Sequence, residues 1–284
     1  MDKAQKMHEL RVFAAEIRLE TLKVIGSRGF GHVGGSMSMA DTFAVLYGAV
    51  MNVDPKNPRW EDRDWCVLSK GHGGPVMYAT LGLKGYYPIE AAYQLNQPGT
   101  DFPSHTDRNK TIGVDLTTGS LGQGMSEAVG AALGNKTRSL PGRVYVAIGD
   151  GEADEGQVWE AAEFAAHYKL DNLTCFVDVN GMQLDGPTAE IMGHGKGLGA
   201  KFDAFGWNVI ECADGNDVEQ IYDAVQEAIA CKGQPTAIIL HTIKGKGATF
   251  AEPSGAHSSQ PTKEQWDEAI AVSEKELEAV KAGK

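Results

Sequence analysis

Cysteine is scarce in this chain of 284 residues, and the four present, Cys66, Cys175, Cys212 and Cys231, show no paired spacing. That excludes a disulfide scaffold and a cysteine zinc site, and it points to buried free thiols in a reducing compartment. Long hydrophobic runs are missing as well: no apolar stretch approaches the roughly 20 residues that cross a bilayer. The N-terminal stretch MDKAQKMHELRVFAAEIRLE mixes charge with apolar residues at helical spacing and has no signal-peptide core, so a cytoplasmic location is expected. Basic charge is in deficit, with 26 Lys and Arg against 38 Asp and Glu and a formal net charge of -12. The mean field therefore repels nucleic acid and anionic membranes, and any phosphate must be held locally by a cation and backbone amides. Internal repeats, linkers and low-complexity tracts are absent, which makes residues 1–284 one expected domain with a helical tail. With 42% hydrophobic residues, a substantial core is within reach.

What is present is an alternation of apolar strands and helices. An amphipathic helix is expected over 2–27, with Leu10, Phe13, Ala14, Ile17 and Leu22 on one side. An apolar helix follows over 39–51, then a strand WCVLS and a helix after Gly71-His72-Gly73-Gly74. Residues 95–121 show no periodicity, and loops of that length in a compact domain are commonly functional. Helix 122–138, strand 143–148, helix 155–168 and strand 172–178 come next. They are followed by a short helix near 197–205, strand 207–211, helix 216–231, strand 236–242 and a charged helix from Thr262. The rhythm predicts an α/β fold: a mostly parallel central sheet with helices on both faces.

Two of these strands carry the chemistry. RVYVAI empties into Gly149-Asp150-Gly151, and LTCFVDV empties into Asn180, thirty residues beyond Asp150. That spacing is one strand-helix-strand unit, so Asp150 and Asn180 are expected side by side at the carboxyl edge of the sheet. One charged and one neutral oxygen beside flexible glycines suit magnesium when phosphate oxygens complete its shell. Gly-Asp-Gly alone reads more readily as a turn, and the matched Asn is what favours a metal-diphosphate site. Gly122-Gln123-Gly124 follows a loop instead of a strand and lacks the acidic partner of a dinucleotide site, which excludes that reading. Lys244-Gly245-Lys246-Gly247 fails the phosphate-loop pattern, and plain surface charge explains it equally well.

Of eight histidines, His32, His72, His105 and His257 lie in loops rich in glycine, serine or proline. A turn or surface role accounts for any one of them. Four such imidazoles around a pocket suit a polyhydroxy substrate and proton transfer to its oxygens.

The segments His32-Val33-Gly34-Gly35-Ser36, Leu68-Ser69-Lys70-Gly71-His72-Gly73, Thr118 through Gly124, Gly149-Asp150-Gly151-Glu152 through Glu155-Gly156, and Asp178-Val179-Asn180 together form a pattern. With the KGKG loop leading to His257, it resembles the N-terminal, diphosphate-binding portion of a transketolase across nearly the whole chain. The resemblance implies thiamine diphosphate and Mg2+, or another divalent cation such as Ca2+ or Mn2+, as cofactors. Asp150, Asn180 and the Met182 carbonyl would hold the metal. His72, Gly149 and Gly151 would lie against the diphosphate, and Gly119 and Leu121 would border the cofactor's rings. His32, His105 and His257 would hold the donor sugar and move protons, with His257 also beside the cofactor, and Glu155 would link paired active sites. Val179, Gly74 and Ser258 depart from the family pattern without removing a proposed ligand.

The resemblance stops before the pyrimidine-binding half with its activating glutamate, so it implies the N-terminal subunit of a split transketolase. Such a subunit works with a C-terminal partner, as a heterotetramer of two chains of each kind, on sugar phosphates of the pentose phosphate pathway. It would transfer a two-carbon ketol unit from a ketose phosphate to an aldose phosphate, with no nucleic-acid or membrane partner. The alternatives are the alpha subunit of a 2-oxo acid dehydrogenase and a non-catalytic assembly subunit.

Overall fold

Strand boundaries follow the apolar runs closely. A computed structural model describes residues 2–283. Its strands are β1 (Trp65–Leu68), β2 (Val144–Gly149), β3 (Leu173–Val179), β4 (Asn208–Cys212) and β5 (Thr236–His241). All pair in parallel, in the order β1-β2-β3-β5-β4. The apolar runs VYVAI in β2, CFV in β3 and AIIL in β5 are what a sheet covered on both faces requires.

The helices are α1 (Lys3–Gly26), α2 (Val33–Met37), α3 (Ala40–Val45), α4 (Gly74–Leu83), α5 (Gln123–Thr137) and α6 (Gly156–His167), then α7 (Thr188–Ile191), α8 (Leu198–Ala204), α9 (Val218–Ala230) and α10 (Lys263–Lys281). Alternate strand residues feed two cores. Cys66, Tyr145, Phe176 and Ile238 pack with α1, α3, α4 and α9, whereas Val67, Val146, Cys175 and Val177 pack with α5, α6 and α8. That is the period-2 signature of a sheet buried on both sides. Helix α10 begins with a capping box in which Thr262 and Gln265 satisfy each other's backbone amides, and its Trp266 is buried beside α1.

One expected element is corrected. The helix expected over 39–51 is α-helical only to Val45 and continues as a π-turn over Leu46–Val50. Gly48 lies inside that turn, where an added Cβ would fall 2.6 Å from Leu10 Cδ2 of α1. Close approach of the two helices, rather than local propensity, shapes the segment.

Because the strands are parallel, their carboxyl ends form one edge. Ser69-Lys70 after β1, Asp150 after β2, Asn180 after β3 and Thr242-Ile243-Lys244 after β5 all open there, where ligands enter sheets of this type.

Candidate active site

Asp150 and Asn180 line the same cleft, of about 230 Å³, at that edge. The register explains it: Gly149 pairs with Asp178, so Asp150 stands one residue past its strand pair and Asn180 two. The buried Asp150 carboxylate accepts from the Gly151 and Gly181 amides at 2.9 and 3.0 Å and from Thr188 Oγ1 at 2.9 Å. Burial, and next the charge of Asp178, raise its pKa. Asn180 donates from Nδ2 to Asp178 at 2.9 Å and accepts the Met182 amide on Oδ1 at 3.2 Å. Gly149, Gly151, Leu121, Met182, His72 and His257 line the cleft as well.

The four loop histidines, far apart in sequence, meet. The His32 ring lies 5.5 Å from His72, 5.6 Å from His105 and 5.4 Å from His257, and His72 is 4.6 Å from His257, between centroids. Burial lowers the pKa of all three flanking the interior: His32; His72, to about 2, with Lys70 adding to it; and His257, to about 4, with Lys244 adding to it. At neutral pH these are uncharged imidazoles, able both to donate and to accept. Gly119 lies beside this group, its Cβ position 3.3 Å from the His105 ring. Glu155 is set apart: it is exposed at the start of α6, outside the cleft.

This sets an acid dependence of stability. Between the ordinary value of 6.5 and about 2, the unfolded chain binds a proton at His72 that the native chain does not. Stability therefore falls as pH falls through this window, by up to about 1.4 kcal/mol per pH unit from this group. His72→Asn is expected to flatten the decline by that slope between about pH 6 and pH 4. Urea midpoints measured across the range check it, and an unchanged slope removes His72 as the cause.

Several residues escaped the sequence reading. Lys70, fully buried, donates to Asp178, to the Gly35 carbonyl at 2.8 Å and weakly to Ser38. Asp178 also accepts from Ser38 and Thr242, and although burial opposes it, Lys70 holds its pKa below the ordinary value. Glu152 is buried, taking the Ser69 hydroxyl and Gly122 amide on one oxygen and the Gly149 amide on the other. Lys244, also buried, donates from Nζ to the Met182 carbonyl at 2.6 Å. A carboxylate in a Gly-Asp-Gly-Glu turn and a lysine just past an apolar strand were the available signals.

Among the described residues, no group of three or more histidine, cysteine or carboxylate side chains is placed to hold a metal. Asp150, Asn180 and Met182 bring a carboxylate, an amide and a backbone carbonyl to the lining of the cleft at the strand ends. Such oxygens suit a hard cation whose remaining ligands are phosphate oxygens, and the ammonium on the Met182 carbonyl shows that this oxygen takes a positive partner.

A parallel sheet with a single-carboxylate oxygen site and an imidazole cluster at its carboxyl edge defines a domain for a diphosphate cofactor. A family model described as "Transketolase, thiamine diphosphate binding domain" matches residues 10–273. The 6-deoxy-6-sulfo-D-fructose transketolase subunit SqwG of Clostridium sp. is 50% identical over 96% of this chain and 99% of its own length. An apulose-4-phosphate transketolase subunit of Phocaeicola vulgatus is 34% identical, over 93% of this chain and 94% of its own. The solved transketolase from Leishmania mexicana superposes with a TM-score of 0.86 at 30% identity, covering 96% of this chain and 45% of that one. This chain thus spans less than half the length of that solved transketolase. It belongs to the transketolase family of transferases and is the family's N-terminal, thiamine diphosphate-binding part.

Proposed function

We propose that this chain is the N-terminal subunit of a two-chain transketolase that moves a two-carbon ketol unit from a ketose to an aldose. The observation that carries the reading is the meeting of His32, His72, His105 and His257 beside the Asp150–Asn180 cleft. In this reading Asp150, Asn180 and the Met182 carbonyl hold Mg2+, and His72, Gly149 and Gly151 face the diphosphate. Leu121 and Gly119 flank the cofactor's rings. When bound, thiamine diphosphate supplies the electron sink for cleaving the donor's carbon–carbon bond. His32, His105 and His257 orient the donor's hydroxyls and move protons at its oxygens, since an imidazole can both donate and accept.

The exposed Glu155 is available to a second chain, in keeping with a role between paired active sites. The names of the relatives, which call each one a transketolase subunit, support a complementary chain, and we take the assembly to contain two of each. Those names also widen the donor class from sugar phosphates to a ketose with an anionic terminal group, sulfonate or phosphate. Four free cysteines, three of them buried, accord with a cytoplasmic location, and among the described residues no helix is long and apolar enough to cross a membrane.

The test assembles the chain with its complementary chain and offers 6-deoxy-6-sulfo-D-fructose, D-fructose 6-phosphate and a 2-oxo acid. Ketol transfer from a ketose, dependent on both Mg2+ and thiamine diphosphate, is expected. His105→Ala is expected to lower kcat/KM for the ketose about 100-fold, the ordinary size of a proton-transfer contribution. Turnover of the 2-oxo acid alone would shift the assignment to the dehydrogenase class, and a failure to bind the cofactor would leave an assembly subunit.

A further inference from the structure

Arginine gathers at one place in this acidic chain. Arg59, Arg63, Arg108 and Arg138 line a cavity of about 280 Å³ together with Glu61 and Trp65. Trp65 opens β1 and the cavity's Leu140 precedes β2, which puts the cavity at the amino edge of the sheet. The length of β1, roughly 13 Å at 3.3 Å per residue, separates it from the edge that carries Asp150 and Asn180. Arg63 is neutralised within the fold: buried, it is paired with the buried Asp115, donates to the Trp60 carbonyl at 3.0 Å and stacks on the Trp65 ring at 4.6 Å. The other three are not. Arg59 donates to backbone, to the Val114 carbonyl at 3.2 Å and the Arg108 carbonyl at 2.8 Å. Arg108 is bonded through its backbone alone among the described residues, its carbonyl to Arg59 and its amide to Thr117 Oγ1 at 3.1 Å. Glu127 feels the Arg108 charge, although burial is the larger influence there and raises that carboxyl's pKa. Arg138 is paired with Glu61, but both side chains are more than half exposed, and such a pair is weak in water. The Trp65 indole keeps a buried Nε1–H without a partner among the described residues, a spare donor in the same wall.

We propose that this cavity is a separate oxyanion site, for inorganic phosphate or a small phosphate monoester, and that its occupant steadies the loop carrying His105. Guanidinium forks match the oxygens of a tetrahedral anion, and three of them around one small volume favour a compact ligand over an extended acidic chain. Among the lining residues and the Asp115 behind Arg63, four positive charges meet two negative ones, in a chain whose formal net charge is -12. The wider field repels anions, so capture depends on these contacts. The connection to His105 is short. The Thr118 amide donates to the Thr106 carbonyl at 3.0 Å and the two hydroxyls meet at 2.6 Å, which closes residues 106–118 into a loop directly beside His105. Arg108 and Val114 lie on that loop, and the Arg59 guanidinium ties their carbonyls together. Arg138 caps the end of α5. An anion held by Arg59, Arg108 and Arg138 therefore fastens the far side of the loop to α5, while its base holds His105 beside His32.

The test uses the assembled two-chain protein with thiamine diphosphate and Mg2+ saturating the catalytic cleft. Inorganic phosphate and glycerol 3-phosphate, which has no carbonyl to react, are titrated separately by calorimetry, and hydrogen exchange of residues 106–118 is followed by mass spectrometry. Arg108→Gln and Arg138→Gln, two substitutions outside the core, are each expected to weaken phosphate binding about tenfold, the loss of one charge-assisted hydrogen bond. Arg11→Gln, which removes the same charge from an exposed position on α1, is expected to bind like the parent. Phosphate at about ten times the parent's Kd is expected to slow exchange of residues 106–118 about tenfold in the parent and about twofold in the two cavity variants. Equal affinity for the two ligands identifies the free anion as occupant, and tighter glycerol 3-phosphate identifies the monoester; either supports the site when the cavity variants lose it. A parent that binds neither ligand, or cavity variants that keep the parent's affinity, overturn the site. Phosphate binding that leaves exchange of residues 106–118 unchanged overturns its hold on the His105 loop.

Discussion

An Asp150→Ala enzyme, assembled with its complementary chain, is expected to lose ketol transfer about 1,000-fold. Asp150 is the one carboxylate in the proposed metal set, and a catalytic metal's charge is worth several kcal/mol to the groups it clasps. The alanine also strips the acceptor from the Gly151 and Gly181 amides and from Thr188, so part of the loss would come through loosened loops. Asp150→Asn separates the two effects, because it keeps an oxygen at the same place and gives up the charge. Metal-dependent thiamine diphosphate affinity, read by fluorescence, should fall in both variants. Parent-like affinity in Asp150→Asn would remove Asp150 from the metal site.

Replacing Lys70 by methionine is expected to lower unfolding stability by about 3–5 kcal/mol. The ammonium sits at the end of β1 and is paired with Asp178 at the end of β3, both with almost no exposure to water. Its removal leaves a carboxylate in the interior facing only the hydroxyls of Ser38 and Thr242 and the Asn180 amide. The cost should therefore shrink in acid, where Asp178 of the variant can take up a proton. In the parent the sign is opposite: Asp178 is held below its ordinary value, so its stabilising share is present above the unfolded pKa of 3.8 and lost only as pH falls below it. Denaturation midpoints for parent and variant at pH 7 and pH 5 decide the matter, and a loss under about 1 kcal/mol would mean the pair is not what holds the two strand ends.

Much of the fold was legible because it is written locally. Apolar runs such as VYVAI and LTCFV, each closed by glycine, aspartate or asparagine, located β2 and β3 to within a residue or two. Strand order was not legible, since nothing within TAIILH says that β5 enters between β3 and β4. The break in the helix after Val45 depends on Leu10, thirty-eight residues from Gly48, and is invisible to local periodicity. For the cleft, Asp150 and Asn180 could be brought together from spacing because one crossover unit separates them. The four histidines share a composition signal but no spacing signal, and their closeness is a product of four separate loops. Lys70 and Glu152 were passed over, and Lys244 was weighed evenly as surface charge, for a common reason: charge in a polar loop reads as solvated, and only the packed structure shows it enclosed.

The insertion of β5 between β3 and β4 has a consequence for biosynthesis. As the polypeptide leaves the ribosome, β1, β2 and β3 can pair as soon as they emerge, but β3 keeps a bare outer edge and β4 has no neighbour to join. Both wait for residues 236–241, which emerge more than fifty residues after the end of β3. Throughout that interval the edge of β3 around Phe176 and Val177 stands unpaired, and truncation before β5 leaves it open to pairing with other chains.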